Sequence, residues 1–301
     1  MQSPIEREIL VRAEADTDPT HGKDPKDRSI EELLSYGIVI VNKQAGPTSH
    51  QFTDYVKRVL HIDKAGHSGT LDPNVTGVLV IALSKATRVV DVLLKSGKEY
   101  VCVLYLHDDV PEDKIRKTLS SFVGEIEQLP PKKSAVKRQW RTREIYYIDI
   151  LEIKGRQVLF RVGCQAGTYI RKLCTDAAEK MGIKGHMQEL VRTKVAHFTD
   201  EQWVNLHTLK DAYETWKEGD DSQLKEIILP MEEAVNHLPK IWLADQAIDS
   251  VCHGAFLSVP GIVRLNSGIE ANDTVALMSL KGELVGIGKA KMNSQNMLRQ
   301  E

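Results

Sequence analysis

The chain has 301 residues and a mass of 33.8 kDa, about twice the size of a usual single domain, so we expect one large domain with a smaller companion. Hydrophobic residues make up 42% and charged residues 27%, which excludes a disordered, collagenous or disulfide-scaffold protein. The net charge of −2 is unevenly spread: residues 33–198 hold 26 basic and 17 acidic residues, which indicates a polyanion-binding face, with an ordinary solvated surface as the alternative.

Short apolar runs and segments of helical periodicity follow one another from residue 37 onwards. The runs predict strands at residues 37–41, 78–83 and 98–107, and a hairpin at residues 145–164 that turns at Lys154-Gly155. Apolar residues at helical spacing predict helices at residues 52–60, 85–95, 115–123 and 168–181. The loop before the first helix offers Thr48 or Ser49 as its N-cap. This mixed order predicts an α+β fold instead of regular βαβ units.

The last third of the chain changes character twice. Residues 199–233 hold 3 basic and 10 acidic residues, and we expect them to form a helical connector with a protein-facing or solvent-facing surface. Beyond Pro239, short apolar stretches alternate with glycine. That pattern predicts a small β-barrel-like domain of roughly 60 residues.

The lack of an export or membrane-spanning segment, together with the cysteine usage, predicts a cytoplasmic protein. The apolar runs are far shorter than the roughly 20 residues that a membrane span needs, and the N-terminal residues contain no apolar export segment. The four cysteines (Cys102, Cys164, Cys174 and Cys252) form no Cys-x-x-Cys pair, which predicts buried, reduced thiols. We therefore expect no metal, no membrane and a cytoplasmic location.

The segment GHSGTLDPNVTG at residues 66–77 is the densest chemical signal. Its three glycines let the backbone approach a ligand, and Pro73 rigidifies the turn after a single carboxylate, Asp72. Loops on a rigid scaffold are where catalytic residues commonly lie. Composition alone leaves two interpretations open, a catalytic carboxylate and a simple Asx turn.

This segment, extended to GHSGTLDPNVTGVL, resembles the catalytic motif of the TruB-type pseudouridine synthases, which convert uridine in RNA into its C-glycoside isomer. Other segments resemble motifs of the same family in the same order: GIVIVNKQAGPTSH (37–50), KEY (98–100), VGCQAGTYIRKL (162–173) and LVRT (190–193). Five ordered motifs over about 160 residues form a specific signal.

Two further resemblances indicate which branch of the pseudouridine synthase family the chain resembles. The segment PPKKSAVKRQWRTREIY (130–146) resembles a loop of the archaeal and eukaryotic H/ACA guide-RNA-dependent enzymes, the dyskerin group. The segments HGAFLSVPGI (253–262) and GELVGIGKA (282–290) resemble a PUA domain. The long lysine-rich tails of eukaryotic dyskerin are missing, which favours an archaeal-type catalytic subunit.

The resemblance implies a fold and a domain division. The fold is α+β: a mixed α/β pseudouridine synthase catalytic domain with a central antiparallel sheet, plus a small C-terminal β-barrel PUA domain. We expect residues 1–32 to form an N-terminal extension that packs on the PUA domain, residues 33–233 the catalytic domain, and residues 234–301 the PUA RNA-binding domain.

The resemblance also assigns catalytic roles by position. Asp72 matches the nucleophile, Arg171 the arginine that pairs with it, and Tyr100 the aromatic residue on which the target base rests. A bidentate guanidinium would aim the carboxylate. Unstacking the base costs a few kcal/mol, which ring stacking offsets by roughly 1 to 3 kcal/mol. The reaction needs no cofactor.

Further residues are expected to contact RNA. Residues 131–143 carry six positive charges and no acid, with Trp140 interleaved, which is typical of a phosphate clamp with a stacking ring; a solvated face is the alternative. Contacts to the substrate RNA are expected at Lys43, His67, Lys98, Tyr169, Leu190, Lys132, Lys133, Lys137, Arg138, Arg141 and Arg143. Contacts to the guide RNA are expected at His253, Gly254 and Ala255.

The sequence therefore predicts an enzyme that isomerises uridine in rRNA or tRNA, guided by an H/ACA RNA. The resemblance implies three small protein partners: a zinc-ribbon-like peptide, a glycine/arginine-type β-barrel subunit and a kink-turn-binding protein. A guide-independent tRNA pseudouridine synthase is the first alternative, and a non-catalytic RNA scaffold is the second. The joint presence of Asp72, Tyr100 and Arg171 argues against the scaffold.

Overall fold

The structure is a computed structural model that describes residues 7–130 and 137–299. Its strands in chain order are β1 (Ile9–Val11), β2 (Gly37–Lys43), β3 (Ala65–His67), β4 (Thr76–Leu83), β5 (Lys98–Leu106), β6 (Gly124–Gln128), β7 (Arg141–Lys154), β8 (Gln157–Cys164), β9 (Gly185–Val195), β10 (Phe198–Thr199), β11 (Ile228–Pro230), β12 (Lys240–Leu243), β13 (Ile262–Asn266), β14 (Thr274–Met278) and β15 (Leu284–Lys289). Its helices are α1 (Ile30–Tyr36), α2 (Ser49–Val59), α3 (Val90–Lys95), α4 (Glu112–Ser120), α5 (Ile170–Lys180), α6 (Leu206–Lys217), α7 (Ser222–Ile227), α8 (Asp245–Cys252) and α9 (Ser294–Arg299).

A large central sheet forms the first of two sheets. Its strand order is β11-β2-β4-β9-β5-β8-β7-β6, with β3 added to β4 and β10 added to β9. Neighbouring strands run antiparallel except β4 and β9, which are parallel over two residue pairs. The mixed α/β fold with a central sheet is therefore confirmed, and its antiparallel order is interrupted at one pairing.

Strand β4 explains how this sheet is covered on both faces. Alternate side chains of a strand point to opposite faces, and β4 is apolar on both. Leu79, Ile81 and Leu83 pack into a core with α2 and α6, whereas Val78 and Val80 pack into a core on the other face. The continuous apolar run in the sequence is the consequence of this two-sided burial.

A third core lies beneath the far half of the sheet. Strands β5, β7 and β8 contribute one face, including Leu104, Phe160 and Val162, and α5 contributes Leu173 and Ala177. Helix α5 is therefore fixed by its apolar stripe, which leaves its N-terminal turn at the edge of the packed region.

The acidic residues 199–233 do not form a separate connector, which corrects the prediction. Leu209 of α6 and Leu224 of α7 are fully buried in the core shared with β2, and β11 pairs with β2 in the central sheet. Asp211 and Glu214 of α6 and Glu226 of α7 are exposed, so the acidic composition reflected the solvent-facing side of these helices and gave no sign of their apolar side.

The second sheet is small and includes the N-terminal strand. Its order is β1-β13-β12-β14-β15, and Ile9 and Val11 of β1 lie opposite Asn266 and Arg264 of β13. Ala276 and Met278 of this sheet share a core with Ile38 of the large sheet. The two sheets are therefore joined by an apolar interface.

A buried ion pair also links the parts of the molecule. The guanidinium of Arg28, before α1, donates to both oxygens of Glu232 at 2.7 and 2.9 Å, and Glu232 also accepts from the backbone N–H of Leu284 at 3.0 Å. Both side chains are about 90% buried. One carboxylate thus ties the N-terminal segment to the second sheet.

The cysteines agree with the prediction at three of four positions. Cys102, Cys164 and Cys174 are buried thiols, but Cys252 at the end of α8 is exposed, so burial was wrongly predicted there. Within residues 7–130 and 137–299, no helix is long and apolar enough to cross a membrane. The same residues contain no group of three or more His, Cys, Asp or Glu side chains suited to a metal ion.

Candidate active site

Asp72 lies on the loop between β3 and β4, and Lys43 braces that loop from beneath. The side chain of Lys43, at the end of β2, is fully buried. Its ammonium group donates to the backbone carbonyls of Val75 at 2.9 Å, Gln44 at 3.0 Å, Pro73 at 3.1 Å and Asp72 at 3.4 Å. Burial lowers the pKa of Lys43, followed by the nearby charge of Arg192. The charge of Lys43 is thus bonded to the loop backbone, and its contact with RNA stays a prediction.

The first residue of α2 holds the same loop from the side. The buried hydroxyl of Ser49 accepts from the N–H of Leu71 at 2.8 Å and donates to the carbonyl of Leu71 at 3.2 Å. The N–H of Val75 closes a turn on the carbonyl of Asp72 at 3.0 Å. Since its flanking backbone is bonded on both sides, the Asp72 carboxylate projects from a rigid turn.

Arg171, the second residue of α5, forms an ion pair with Asp72. The two side chains are 49% and 51% exposed. Ion pairs with this exposure contribute only about 0–1 kcal/mol to folding stability. The pair therefore organises charge at an open surface and has little part in holding the domain together.

Tyr100 of β5 lies opposite Arg192 of β9 in the central sheet. Arg192 is 1% exposed, and its guanidinium donates to the carbonyls of Val78 at 2.8 Å and Gly69 at 3.0 Å. Burial raises the pKa of the Tyr100 phenol, so the ring is neutral, and burial lowers the pKa of Arg192. Arg192 thus connects the aspartate loop to the tyrosine.

Sequence reasoning did not select Arg192 as a site residue. Its signal was its position in the LVRT segment, two residues beyond the predicted pocket residue Leu190. Gly77, with φ +116°, lets β4 lie close to the backbone of Arg192 in β9. A Cβ added at Gly77 would lie 2.2 Å from the carbonyl oxygen of Arg192. Leu190 itself is partly buried against the core that includes Tyr100.

The side chain of Lys98, like that of Lys43, is turned into the protein. Its side chain is buried, and its ammonium group donates to the carbonyls of Ser96 at 2.7 Å and of Leu93 and Leu94 at 2.8 Å. These acceptors lie at the C-terminal end of α3, which a cation stabilises. Burial lowers the pKa of Lys98 to about 7. The ammonium group of Lys98 is thus bonded to the end of α3, and its contact with RNA stays a prediction.

His67 lies at the end of β3, where the aspartate loop begins. Its Nδ1 accepts from the N–H of Gly69 at 3.3 Å, and its ring meets that of His50 edge-on, with the centroids 4.7 Å apart. Burial, followed by the neighbouring His50, lowers the pKa of His67 to about 4. The imidazole is therefore neutral at pH 7, and it can offer RNA a hydrogen bond but no charge.

The basic segment reaches α5 through the start of β7. Lys137 and Arg138 are exposed, Trp140 is 64% exposed, and Lys132 and Lys133 lie outside the described residues. Arg141 and Arg143 are partly buried on β7. An added Cβ on Gly167 would lie 3.2 Å from Nε of Arg143, so this guanidinium crosses the turn that leads to Tyr169 and Arg171.

The residues expected to contact the guide lie in the unit that contains the small sheet. These residues, His253, Gly254 and Ala255, follow α8 and are exposed. Nδ1 of His253 lies 2.8 Å from the carbonyl oxygen of Asp249. They are separate in the fold from the aspartate loop, and their role stays a prediction.

Family models match the chain along its length. They are "TruB family pseudouridylate synthase (N terminal domain)" at residues 57–170, "tRNA pseudouridylate synthase B C-terminal domain" at 171–236, "PUA domain" at 239–301 and "DKCLD (NUC011) domain" at 5–53. The chain is 52% identical to "Probable tRNA pseudouridine synthase B" of Methanopyrus kandleri, over 97% of this chain and 87% of that one. It is 53% identical to the Pyrococcus abyssi protein of the same description, over 99% and 90%.

Solved structures give the same result. A chain in "Crystal Structure of a Cbf5-Nop10-Gar1 Complex" superposes with a TM-score of 0.94 at 52% identity, over 99% of this chain and 91% of that one. A chain in "Structure of H/ACA RNP bound to a substrate RNA containing 2'-deoxyuridine" has a TM-score of 0.92 at 50% identity, over 99% and 92%. The fold and the aspartate loop define an RNA pseudouridine synthase, an isomerase. The chain belongs to the TruB family of pseudouridylate synthases, as the motifs predicted.

Proposed function

We propose that this chain is the catalytic subunit of an H/ACA guide-RNA-dependent enzyme that isomerises uridine to pseudouridine in rRNA or tRNA. The observation that carries the proposal is the pairing of Asp72, on its braced loop, with Arg171 at the open end of α5. The likeness to a chain solved within an H/ACA RNP with substrate RNA supports guide dependence. We propose that the enzyme is cytoplasmic and acts as part of a ribonucleoprotein.

Asp72 is the proposed nucleophile in this reaction. Isomerisation breaks the bond from N1 to C1′ of the uridine and forms one from C5 to C1′, while a proton leaves C5 and a proton is gained at N1. A carboxylate near the sugar and base can carry both stages without oxidant or reductant. Arg171 orients the carboxylate, and the neutral ring of Tyr100 supports the everted base.

RNA contacts are proposed to divide between two surfaces. Lys137, Arg138, Arg141 and Arg143 supply positive charge for the substrate backbone, and His67, Tyr169 and Leu190 contact the everted nucleotide. Exposed His253, Gly254 and Ala255 contact the guide. Base pairing between guide and substrate then selects the uridine, a division of labour known for other guided enzymes.

The partners we propose are the guide RNA, the substrate RNA and three small proteins. They are a zinc-ribbon-like peptide, a glycine/arginine-type β-barrel subunit and a kink-turn-binding protein. The relative solved as a Cbf5-Nop10-Gar1 complex supports an assembly with small subunits. We also propose the domain division into residues 1–32, 33–233 and 234–301.

A guide-independent tRNA synthase is the second candidate, favoured by the description of several relatives as probable tRNA pseudouridine synthase B. The test compares the isolated chain on free tRNA with the chain assembled with a designed guide and accessory subunits. We expect pseudouridine at the guided uridine in the assembled sample. Modification of free tRNA at an equal rate without a guide would contradict guide dependence.

The nucleophile is tested in the same assembly with Asp72→Asn. We expect the variant to form no detectable pseudouridine, because an amide is not a nucleophile, while Asp63→Asn, an exposed aspartate outside the loop, keeps the parent rate. Product from Asp72→Asn at the parent rate would remove the assignment.

A further inference from the structure

Gln128, the last residue of β6, is a buried polar side chain with no role so far. It is 2% exposed. Its Oε1 accepts from the N–H of Tyr169 at 2.9 Å, and its Nε2 donates to the carbonyl of Tyr169 at 3.1 Å. The N–H can only donate and the carbonyl can only accept, so these contacts fix the orientation of the amide. Both polar ends of Gln128 are thus committed to one backbone unit.

That backbone unit is the N-cap of α5. Tyr169 is the N-cap residue and provides no side-chain cap, whereas Ser, Thr, Asp or Asn normally bonds to the free N–H groups there. Its carbonyl already accepts from Leu173 at 3.0 Å in the first helical turn. Gln128 bonds to the N–H and the carbonyl of the N-cap residue, so it anchors the start of α5 from strand β6 without capping the N–H groups of the first turn.

The held turn carries Arg171 two residues later. The Asp72–Arg171 pair is about half exposed on each side, so its own attraction is too weak to fix the position of the helix end. The core contacts of α5 begin with Ile170 and run along its apolar stripe. The first turn of α5 is therefore held at two points, by the buried side chain of Ile170 and by the hydrogen bonds between Gln128 and Tyr169.

We propose that Gln128 is a positioning residue for catalysis, which fixes the first turn of α5 so that Arg171 meets Asp72. The inference rests on the proposed function of that pair. Among the described residues, the hydrogen bonds of the Gln128 side chain are to the backbone of Tyr169, and Gln128 acts through that backbone. The sheet supports Gln128 in turn, since β6 pairs with β7 and places Gln128 opposite Arg141.

The test uses the assembled enzyme, two Gln128 variants, a control variant and an Arg171→Lys background. Gln128→Met keeps the length of the side chain and removes both hydrogen bonds, and Gln128→Glu keeps an acceptor for the N–H of Tyr169. Gln157→Met is the control, because its exposed amide bonds only to Gln188 at 3.1 Å among the described contacts. We measure kcat at saturating RNA, the Kd for substrate RNA and the unfolding midpoint.

We expect Gln128→Met to lower kcat by about 10- to 100-fold, since small misplacements of a catalytic group have that effect. The Kd should change by less than about twofold, and Gln128→Glu should lose less kcat than Gln128→Met. In an Arg171→Lys background, Gln128→Met should have a smaller effect, because both changes disturb the same contact.

Two results would overturn the proposal. One is an unchanged kcat in Gln128→Met. The other is an equal fold loss in the parent enzyme and in the Arg171→Lys background, which would indicate a general structural role. If Gln128→Met does not fold, Gln128→Glu is carried through the same comparison. An inactive parent enzyme would count against the proposed function, whereas an active parent with an equally active Gln128→Met would count against Gln128 alone.

Discussion

Lys43 and Lys98 show how the same residue type can serve structure within a site that handles a polyanion. Each buries its ammonium group among backbone carbonyl oxygens, one beneath the aspartate loop and the other at the end of α3. A surface lysine would offer its charge to phosphate, but these charges are already solvated by the protein. We expect them to affect RNA modification through the shape of the loop and of the strand that carries Tyr100.

Replacing Lys43 tests this interpretation at the residue scale. Lys43→Met removes the donor shared by four carbonyls, so we expect a loss of stability of about 1–3 kcal/mol together with a loss of kcat. Urea unfolding and the guided assay measure the two effects. Lys95→Met, which removes only an exposed pair with Asp91, is the control. A variant with parent stability and weaker RNA binding would instead support a direct contact of Lys43 with RNA.

The buried histidines predict how stability depends on pH. The pKa of His67 and that of His237 are each lowered to about 4, chiefly by burial, from an ordinary value of 6.5. As the pH falls, these histidines take up protons in the unfolded chain before they do so in the folded chain. Their contribution to the free energy of unfolding is therefore complete above pH 6.5 and is lost as the pH falls from 6.5 to about 4. We expect the unfolding midpoint to fall over that range.

His67→Gln should make that fall shallower, with the part that remains due to His237 and to His197, whose pKa burial also lowers. The exposed His207→Gln serves as the control and should leave the slope unchanged. An unfolding midpoint that has the same pH dependence in His67→Gln and in the parent protein would contradict the assignment.

At the scale of elements, the strands that carry the site differ in how clearly their residue patterns predict a strand. Strand β4 is apolar on both faces and was evident, whereas β9, which lies between β4 and β5, mixes charged, polar and apolar residues without regular alternation and was not predicted. The predicted helix at residues 85–95 is divided, with a 3-10 segment at Ser84–Val89 before α3. Apolar spacing cannot separate these two helix types over one turn.

Strand β7 supports a prediction about substrate binding. Its first residues include Arg141, which lies opposite Gln128 of β6, and Arg143, which lies against the turn at Gly167 before α5. Arg141→Ala and Arg143→Ala should weaken substrate RNA binding and reduce the salt slope by about 1 for each phosphate that the variant no longer neutralises. Guide binding should be retained.

The matched control lies at the other end of the same hairpin. Arg156 pairs with Asp109 at 2.8 Å, and Arg156→Ala should leave the salt slope as it is. An equal loss of guide and substrate binding in the Arg141 or Arg143 variant would contradict the division between the two RNA surfaces.

For the whole molecule, the two sheets behave as one packed body. Ala276 and Met278 of the small sheet share a core with Ile38 and Val80 of the large sheet, so removal of residues 234–301 would expose apolar surface. The pair of Arg28 and Glu232 closes the same junction. Guide binding is therefore better tested by substitutions after α8 than by truncation.

The junction itself gives a prediction of stability. Arg28→Met leaves the buried carboxylate of Glu232 unpaired, and breaking a buried pair in this way costs about 3–5 kcal/mol. Chemical unfolding should show this loss, and the double variant with Glu232→Met should recover part of it. Lys23→Met, which breaks an exposed pair with Glu32, should have a small effect. A single variant as stable as the parent would contradict a structural role for the pair.

The sequence by itself determined the family, the position of Asp72, its partner Arg171 and those helices and strands with clear apolar periodicity, such as α2, α5 and β4, because these depend on local motifs and on periodicity. Only the tertiary structure decided which polar groups are free to meet RNA. Lys43 and Lys98 lie in motifs but are turned inward, while Arg192 and Gln128 support the site from elements distant in the chain. Burial and hydrogen-bond partners arise from contacts between remote segments, and residue type does not record them.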